Sequence, residues 1–457
     1  MADTMDIPRN SAKHRLLTVA GFLSLVVFLA SFLNAADRQP NVILMFADDQ
    51  GTLDMAKLGA RDLYTRNLDR LADRGVLFTQ FYAAAPVCSP SRAALLTGRY
   101  PQRAGVPGNV GLQAEGMPAQ QVTIAEMLKQ ADYRTALVGK WHLGHVNGRG
   151  PLDQGFDSFF GHKVGCIDNY SHFFYWSGPN KHDLWRDAGE HWEDGGYFPD
   201  LMMREARAFL EESKDELFFL YLPFNIPHYP LQGLEKWRQI YSYYPTPRRE
   251  YAALVSTLDE KVGEVVAMVD EMGLRENTLI IFMSDHGHST EERTMFGGGY
   301  AGPYRGAKFS LFEAGIRVPA IVSMPGTLPE GEVRSQFATA VDWLPTIAEI
   351  TGASLSDTPV DGKSLMPIIK SAEAATPHEI FYWQTGKQWA VREGDWKLVV
   401  NPRDTNREFL EGDDATFLVN LAEDISERTN FASQYPDIVQ RLTGLHNDWL
   451  EDVESER

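Results

Sequence analysis

The 457-residue chain reads as an α/β protein: a large, mostly parallel central sheet flanked by helices, followed by a smaller C-terminal subdomain built on a short antiparallel sheet and a helix. Three observations carry that reading. Short, wholly apolar runs of the kind buried on both faces of a parallel sheet recur along most of the chain. Helical patterns separate them, which is the alternation that generates parallel strands with helices on both faces. From about residue 376 the texture changes to closely spaced short strands. An apolar content of 44% is enough to fill a core, and the length exceeds one ordinary core.

The first element is a leader over residues 1–36. Arg9, Lys13 and Arg15 form a basic start, Leu16 to Leu33 carries no charge, and Asn34-Ala35-Ala36 precedes Asp37. This reads as a signal peptide cleaved near Ala36, which places the protein in the periplasm or outside the cell. Its length also suits an uncleaved membrane anchor. The leader holds three basic and two acidic side chains, so its removal makes a chain of formal net charge −19 one unit more negative. Such acidity argues against nucleic acid and anionic membranes as partners. Two cysteines in unlike contexts do not make a disulfide framework.

Residues 37–375 form the α/β domain. Asn41-Val42-Ile43-Leu44-Met45-Phe46 is its first strand and runs into Asp48-Asp49. Thr135 to Val138 leads to Gly139-Lys140-Trp141-His142, Leu217 to Leu222 to Asn225-Ile226-Pro227-His228, and Thr278 to Met283 to Ser284-Asp285-His286. Helical patterns span Thr123 to Gln130, Leu201 to Glu212 and Tyr251 to Met272. In an open α/β sheet ligands sit beyond the carboxyl ends of the strands, and all four polar clusters occupy that edge. Residues 376–457 form the C-terminal α+β subdomain. Its strands are expected at Glu379 to Gln384, Trp389 to Arg392, Trp396 to Val400 and Thr416 to Asn420, with an acidic loop at Glu408 to Asp414 and a closing helix from Pro436 to Glu451.

The clusters carry chemistry that strand burial does not require. Asp48, Asp49 and Asp285 would repel one another if brought together, and a hard divalent cation, calcium or magnesium, resolves the conflict; as single residues they also serve turns. Lys140 supplies positive charge beside His142, a group suited to proton transfer. Cys88 opens the run Cys88-Ser89-Pro90-Ser91-Arg92-Ala93-Ala94-Leu95-Leu96-Thr97-Gly98-Arg99. Pro86 and Pro90 break regular structure whereas Arg92 to Leu96 forms helix, so Cys88 is expected just ahead of a helix start, where unpaired amides favour an anion. Arg92 adds a fixed charge able to grip a tetrahedral oxyanion. Cys166 has no such neighbours and reads as a buried thiol.

The Cys88 run resembles the signature of the sulfatase family, Cys-x-Pro-Ser-Arg followed by Leu-Thr-Gly. Further segments are similar to that family in the expected order: Gly139-Lys140-Trp141-His142-Leu143-Gly144, Asn225 to Pro230, Tyr304-Arg305-Gly306-Ala307-Lys308, and Phe312 to Pro319, where Ala314 replaces the first of two glycines. Scaffold-like matches at Asp153 to Gly161, Asp361 to Leu365, Asp395 to Leu398 and around Leu418 to Leu421 extend the resemblance from about residue 39 to beyond 430.

The resemblance implies an alkaline phosphatase-like fold and a formylglycine-dependent sulfatase. A separate formylglycine-generating maturation enzyme would oxidise Cys88. Asp48, Asp49, Asp285 and the modified Cys88 would surround calcium, with His286 where many relatives have Asn. Hydrated formylglycine would attack sulfur while Arg92 and Lys140 stabilise charge, His228 with Lys308 would protonate the departing alcohol, and His142 would take the proton that expels sulfate. The implied substrate is a sulfated carbohydrate. Asp168-Asn169-Tyr170-Ser171-His172, His288 and Arg293 can line a sugar site or serve as ordinary loop residues. Two alternatives stay open: a phosphonate or phosphate monoester hydrolase of the same superfamily, and a non-catalytic binding protein with Cys88 unmodified.

Overall fold

Four adjacent strands carry the polar clusters, and their adjacency is what brings the clusters together. The protein is described here by a computed structural model covering residues 1–2, 39–112, 114–146, 148–175, 178–405 and 415–456. The leader, but for its first two residues, and the acidic loop Glu408 to Asp414 lie outside the described residues. A ten-stranded sheet runs in the order Glu332–Arg334, Val76–Phe78, Ala320–Ser323, Thr278–Ser284, Asn41–Asp48, Phe218–Pro227, Arg134–Lys140, Ser158–His162, Trp185–Arg186 and Gly189–Glu190. The five strands from Thr278–Ser284 to Ser158–His162 are parallel. Antiparallel neighbours close the sheet on both flanks. Asn41–Arg457 forms one compact unit.

The first strand shows how the sheet divides the core. Val42, Leu44 and Phe46 join one apolar cluster with Trp343 and Leu95. Ile43 and Met45 point to the other, which holds Met202, Leu254 and Leu258. This two-residue alternation buries both faces of the strand. The second cluster is covered by the helices Phe198–Ser213 and Arg248–Glu271. Both start about three residues earlier than the apolar periodicity indicates. Pro199 sits in the first turn of one and Pro247 caps the other, positions proline tolerates because the first helical amides have no intrahelical acceptor.

The same argument moves Cys88. It is the first residue of the helix Cys88–Thr97 rather than a residue ahead of it, and Pro90 occupies the first turn without costing a hydrogen bond. Every residue of this helix is buried. It ends at Gly98, whose φ of 65° closes the last turn with its amide donating to the Ala94 carbonyl. Among the described residues, no helix is long and apolar enough to cross a membrane.

Ile380–Thr385, Gln388–Glu393, Trp396–Val400 and Thr416–Asn420 form the antiparallel C-terminal sheet, and Pro436–Ser455 packs on it. A buried charge network joins this sheet to the segment around Glu313. Lys397 Nζ lies 3.0 Å from Glu313 Oε1 and 2.9 Å from Glu427 Oε1. Glu427 Oε2 accepts from the Glu313 amide at 2.6 Å, and the Tyr82 hydroxyl donates to Glu313 Oε2 at 2.6 Å. Two steps along, Gly315 is irreplaceable for a steric reason: a Cβ there would lie 2.0 Å from the Ser310 carbonyl oxygen. Ala314 meets no such wall and continues a regular turn.

Replacing Lys397 by methionine would remove the cation shared by the buried Glu313 and Glu427 carboxylates, leaving Arg317, 3.2 Å from Glu313 Oε2, to face Glu313 and no such partner for the Glu427 carboxylate among the described residues. We expect a loss of about 3–5 kcal/mol, read from urea unfolding of Lys397→Met against the parent chain.

Candidate active site

The bottom of the site is a cage of opposite charges, each supplied by the end of a neighbouring strand or by the buried helix. Asp48 ends the first strand and Asp49 follows it, while Asp285 and His286 follow the adjacent one. Lys140 Nζ meets Asp48 Oδ2 at 2.6 Å, and Lys308 Nζ meets both oxygens of Asp49 at 2.8 and 3.0 Å. Arg92 stands between two carboxylates, its Nη2 3.5 Å from Asp48 Oδ1 and 3.6 Å from Asp285 Oδ2. Its Nη1 donates to the Lys140 carbonyl at 3.2 Å. Asp285 Oδ1 accepts from the Asp49 amide at 3.0 Å, and Ser91 Oγ donates to the Asp285 carbonyl at 2.6 Å.

The Cys88 sulfur stands over this cage, 3.4 Å from His286 Nε2 and 3.8 Å from Asp48 Oδ1. Burial alone would raise its pKa, but Lys140 and Lys308 bring it down to about 6. Cys166 lies on the same cavity, but there burial outweighs the pull of Lys140 and Lys308 and pushes the thiol up to about 12. The two thiols thus differ as their sequence contexts imply.

Three residues at the site hold left-handed backbone that side chains rarely adopt: Asp49 (φ 67°), His142 (φ 55°) and Phe309 (φ 72°), the last beside Lys308. Asp49 is pinned by its neighbours. Tyr251 donates to the Asp49 carbonyl at 3.1 Å and accepts from the Gly51 amide at 2.9 Å, while Ser284 Oγ accepts from Gln50. His142 packs so closely on Gly165 that a Cβ there would lie 3.0 Å from the imidazole. Burial, then Lys140 and Arg92, hold His142 well below the usual histidine range; burial, Lys308 and Lys140 do the same to His228. His228 Nδ1 is 2.7 Å from the Tyr229 carbonyl, and its Nε2 lies 3.8 Å from Asp49 Oδ2.

A metal ion fits this chemistry. Asp48, Asp49, Cys88 and His286 bring ligand atoms within 4.8 Å of one another, all buried. Burial raises Asp49 to about 8 and Asp285 to about 7, the mark of carboxylates crowded beyond what the surrounding cations neutralise. Asp285 Oδ2 and the Arg92 Nε and Nη2 are buried without a hydrogen-bond partner. His286 Nδ1 lies 3.0 Å from the Gly287 carbonyl, which orients Nε2 toward the sulfur and Asp285.

Above the cage a cavity of about 240 Å³ opens, lined by Cys88, His142, His228 and Lys308. Sequence reasoning missed much of its wall. Asn109, His145 and Glu291 come from loops and carry no periodic or motif signal, and Tyr229 stood in a recognised segment without a role of its own. Arg293 lines the cavity, but His288 and the run Asp168 to His172 do not. The Asp168 carboxylate is occupied by its own loop, accepting from the Tyr170 and Ser171 amides and from Gln232. His288 is buried against Gly299.

A cationic cage beneath a buried nucleophile, at the strand ends of an open sheet, suits esters of tetrahedral oxyanions, and the scaffold is the alkaline phosphatase-like α/β fold of ester hydrolases. Within that class the sequence model of the sulfatase family matches residues 40–353, well over half of the chain, which therefore belongs to the sulfatase family and is a sulfuric ester hydrolase. The chain is 33% identical to the N-acetylgalactosamine-6-sulfatase of Canis lupus familiaris over 93% of its own length and 88% of that protein. It is 32% identical to arylsulfatase A of Homo sapiens, covering 92% and 90% of the two chains. The crystal structure of Ps i-CgsB in complex with k-i-k-neocarrahexaose matches with a TM-score of 0.81 at 30% identity, over 90% of this chain and 93% of that one.

Proposed function

We propose that the protein releases sulfate from a sulfated glycan, with formylglycine made from Cys88 as nucleophile and calcium in the carboxylate cage. The observation that carries this reading is the position of Cys88, first in a buried helix and at the focus of Lys140, Lys308 and Arg92. The glycan is supported by similar proteins: one is named an N-acetylgalactosamine-6-sulfatase and another was crystallised in complex with k-i-k-neocarrahexaose.

Asp48, Asp49, Asp285 and His286, with residue 88 itself, would hold the calcium, which when bound supplies Lewis-acid stabilisation of charge on the sulfate oxygens. Formylglycine supplies a hydrated aldehyde whose second hydroxyl lets sulfate leave, an exit that a plain serine or cysteine ester lacks. The chain's own residues do the rest. Arg92 and Lys140 face the sulfate from below. His228, fixed through Nδ1, presents Nε2 beside Lys308 on the side where the alcohol departs. Burial, then Lys308 and Lys140, keep its imidazole neutral before substrate arrives, and an anionic ester favours its protonation, which prepares a general acid. His142, across the cavity, takes the proton that regenerates the aldehyde.

The test is inorganic sulfate release from a panel of sulfated mono-, oligo- and polysaccharides by protein co-produced with a formylglycine-generating enzyme, with Cys88→Ala as control. Release confined to the matured parent supports the reading; none from any member, with the aldehyde verified by mass, would overturn it.

The cage also fixes a pH dependence. Asp49 and Asp285 have folded pKa values of about 8 and about 7, above the ordinary 3.8, so the cation-free fold binds protons that the unfolded chain releases. Their contribution is fully present below about pH 4 and is lost as pH rises toward 8. Calcium replaces those protons. Its effect on the melting temperature, measured against a chelator, is therefore expected to grow from pH 5 to pH 8, and a flat profile would contradict this.

A further inference from the structure

The wall of the cavity differs from its cationic floor. Among its lining residues Lys308 and Arg293 are the only lysine or arginine, and Glu291 is the only aspartate or glutamate. Lys308 is committed to Asp49. Glu291 is held from three sides: Ser289 Oγ donates to Oε2 at 3.1 Å, Arg293 Nη2 lies 3.2 Å from Oε1, and Lys308 Nζ lies 3.7 Å from Oε2. Arg293 in turn lies 4.7 Å above the Tyr229 ring, and that ring packs 4.0 Å from His228. The Arg293–Glu291 pair therefore flanks the side from which the leaving oxygen departs.

A carboxylate beside the lysine of an anion site needs a reason, because it repels the ligand it faces. Guanidinium and carboxylate side by side offer donors and an acceptor, the match for neighbouring hydroxyls, each of which can both donate and accept. A sulfate in place of such a hydroxyl has no proton to give Glu291 and brings a second negative charge against it. The chain's net charge of −19 acts in the same direction at long range.

We infer that Glu291, paired with Arg293, is a specificity-determining residue that accepts from a free hydroxyl close to the sulfate ester, as the 4-hydroxyl is to a 6-sulfate, and excludes sugars bearing a second sulfate there. The substrate class is then a singly sulfated sugar with free neighbouring hydroxyls. This rests on the glycan sulfatase reading above.

The experiment follows 4-nitrophenyl sulfate hydrolysis by the matured enzyme and measures competition by N-acetylgalactosamine 6-sulfate and by its 4,6-disulfate. The parent is expected to bind the monosulfate at least about tenfold more tightly, and Glu291→Gln, nearly isosteric, to bring the ratio to within about threefold. Calorimetric binding of the same two sugars to Cys88→Ala protein, with and without Glu291→Gln, gives the comparison free of turnover. An unchanged ratio in Glu291→Gln, or a parent that binds the disulfate at least as tightly, would overturn the assignment. Absence of sulfate release from every member of the glycan panel by the matured parent would instead strike the glycan sulfatase reading.

Discussion

Cys88→Ala is expected to abolish sulfate release, with a loss on the order of 10⁴-fold or more, while the protein still folds. The sulfur makes only long contacts, 3.4 Å to His286 and 3.8 Å to Asp48, so its removal breaks no strong hydrogen bond. Alanine preserves the helix start, and the lost volume is a single atom, a cost of about 1 kcal/mol. What disappears is the group proposed to attack sulfur. Cys88→Ser sharpens the test, because it restores a hydroxyl of similar size without an aldehyde. It is expected to remain inactive in steady state, since an ester formed on serine has no internal exit. Sulfate release and thermal melting on the same preparations separate loss of chemistry from loss of fold; parent-like turnover in Cys88→Ala would remove this residue from the reaction.

Arg92 is the second position of large effect, and there two substitutions are expected to part company. Its guanidinium is wholly buried, touches the Asp48 and Asp285 carboxylates at 3.5 and 3.6 Å, donates to the Lys140 carbonyl, and lies over the Phe46 ring at 5.2 Å. Arg92→Leu leaves those carboxylates without it, and a loss of about 3–5 kcal/mol is expected. Arg92→Lys keeps the charge but not the planar fork that reaches several partners at once. It should fold and lose about 10²-fold or more in kcat/KM, because preorganised donors to the oxyanion are gone. Parent-like activity in Arg92→Lys would show that charge alone suffices.

The parts of this protein that a sequence discloses are those whose physics is local. Asn41 to Phe46 and Thr278 to Met283 are apolar because both faces of a central strand are buried, and they emerge as strands with boundaries extended by one or two residues. The polar residues beyond them stand out because they have no place in such a strand. Cys88, Arg92, Lys140 and Lys308 were legible because the short segments that hold them resemble those of the sulfatase family. Trp185–Arg186 and Gly189–Glu190 were not, since two residues cannot display a period. Glu291 was missed for another reason. Its role depends on Ser289, Arg293 and Lys308 converging across a cavity, and nothing in the order of the chain announces that meeting.

Cys88 is 2% exposed, and Ser89, Ser91 and Arg92 beside it are wholly inaccessible. Any enzyme that reads Cys88 to Arg92 as a peptide must therefore reach them before Asn41–Asp48 and Thr278–Ser284 pair around them. The last of those strands follows Cys88 by some 190 residues, so a nascent chain leaves an interval in which the cysteine has emerged and its cage has not. At a synthesis rate of roughly 5–20 residues per second this window lasts on the order of 10–40 seconds. With formylglycine as the nucleophile, competence for the reaction would be decided during biosynthesis. A chain that closed too early would be well folded and permanently silent.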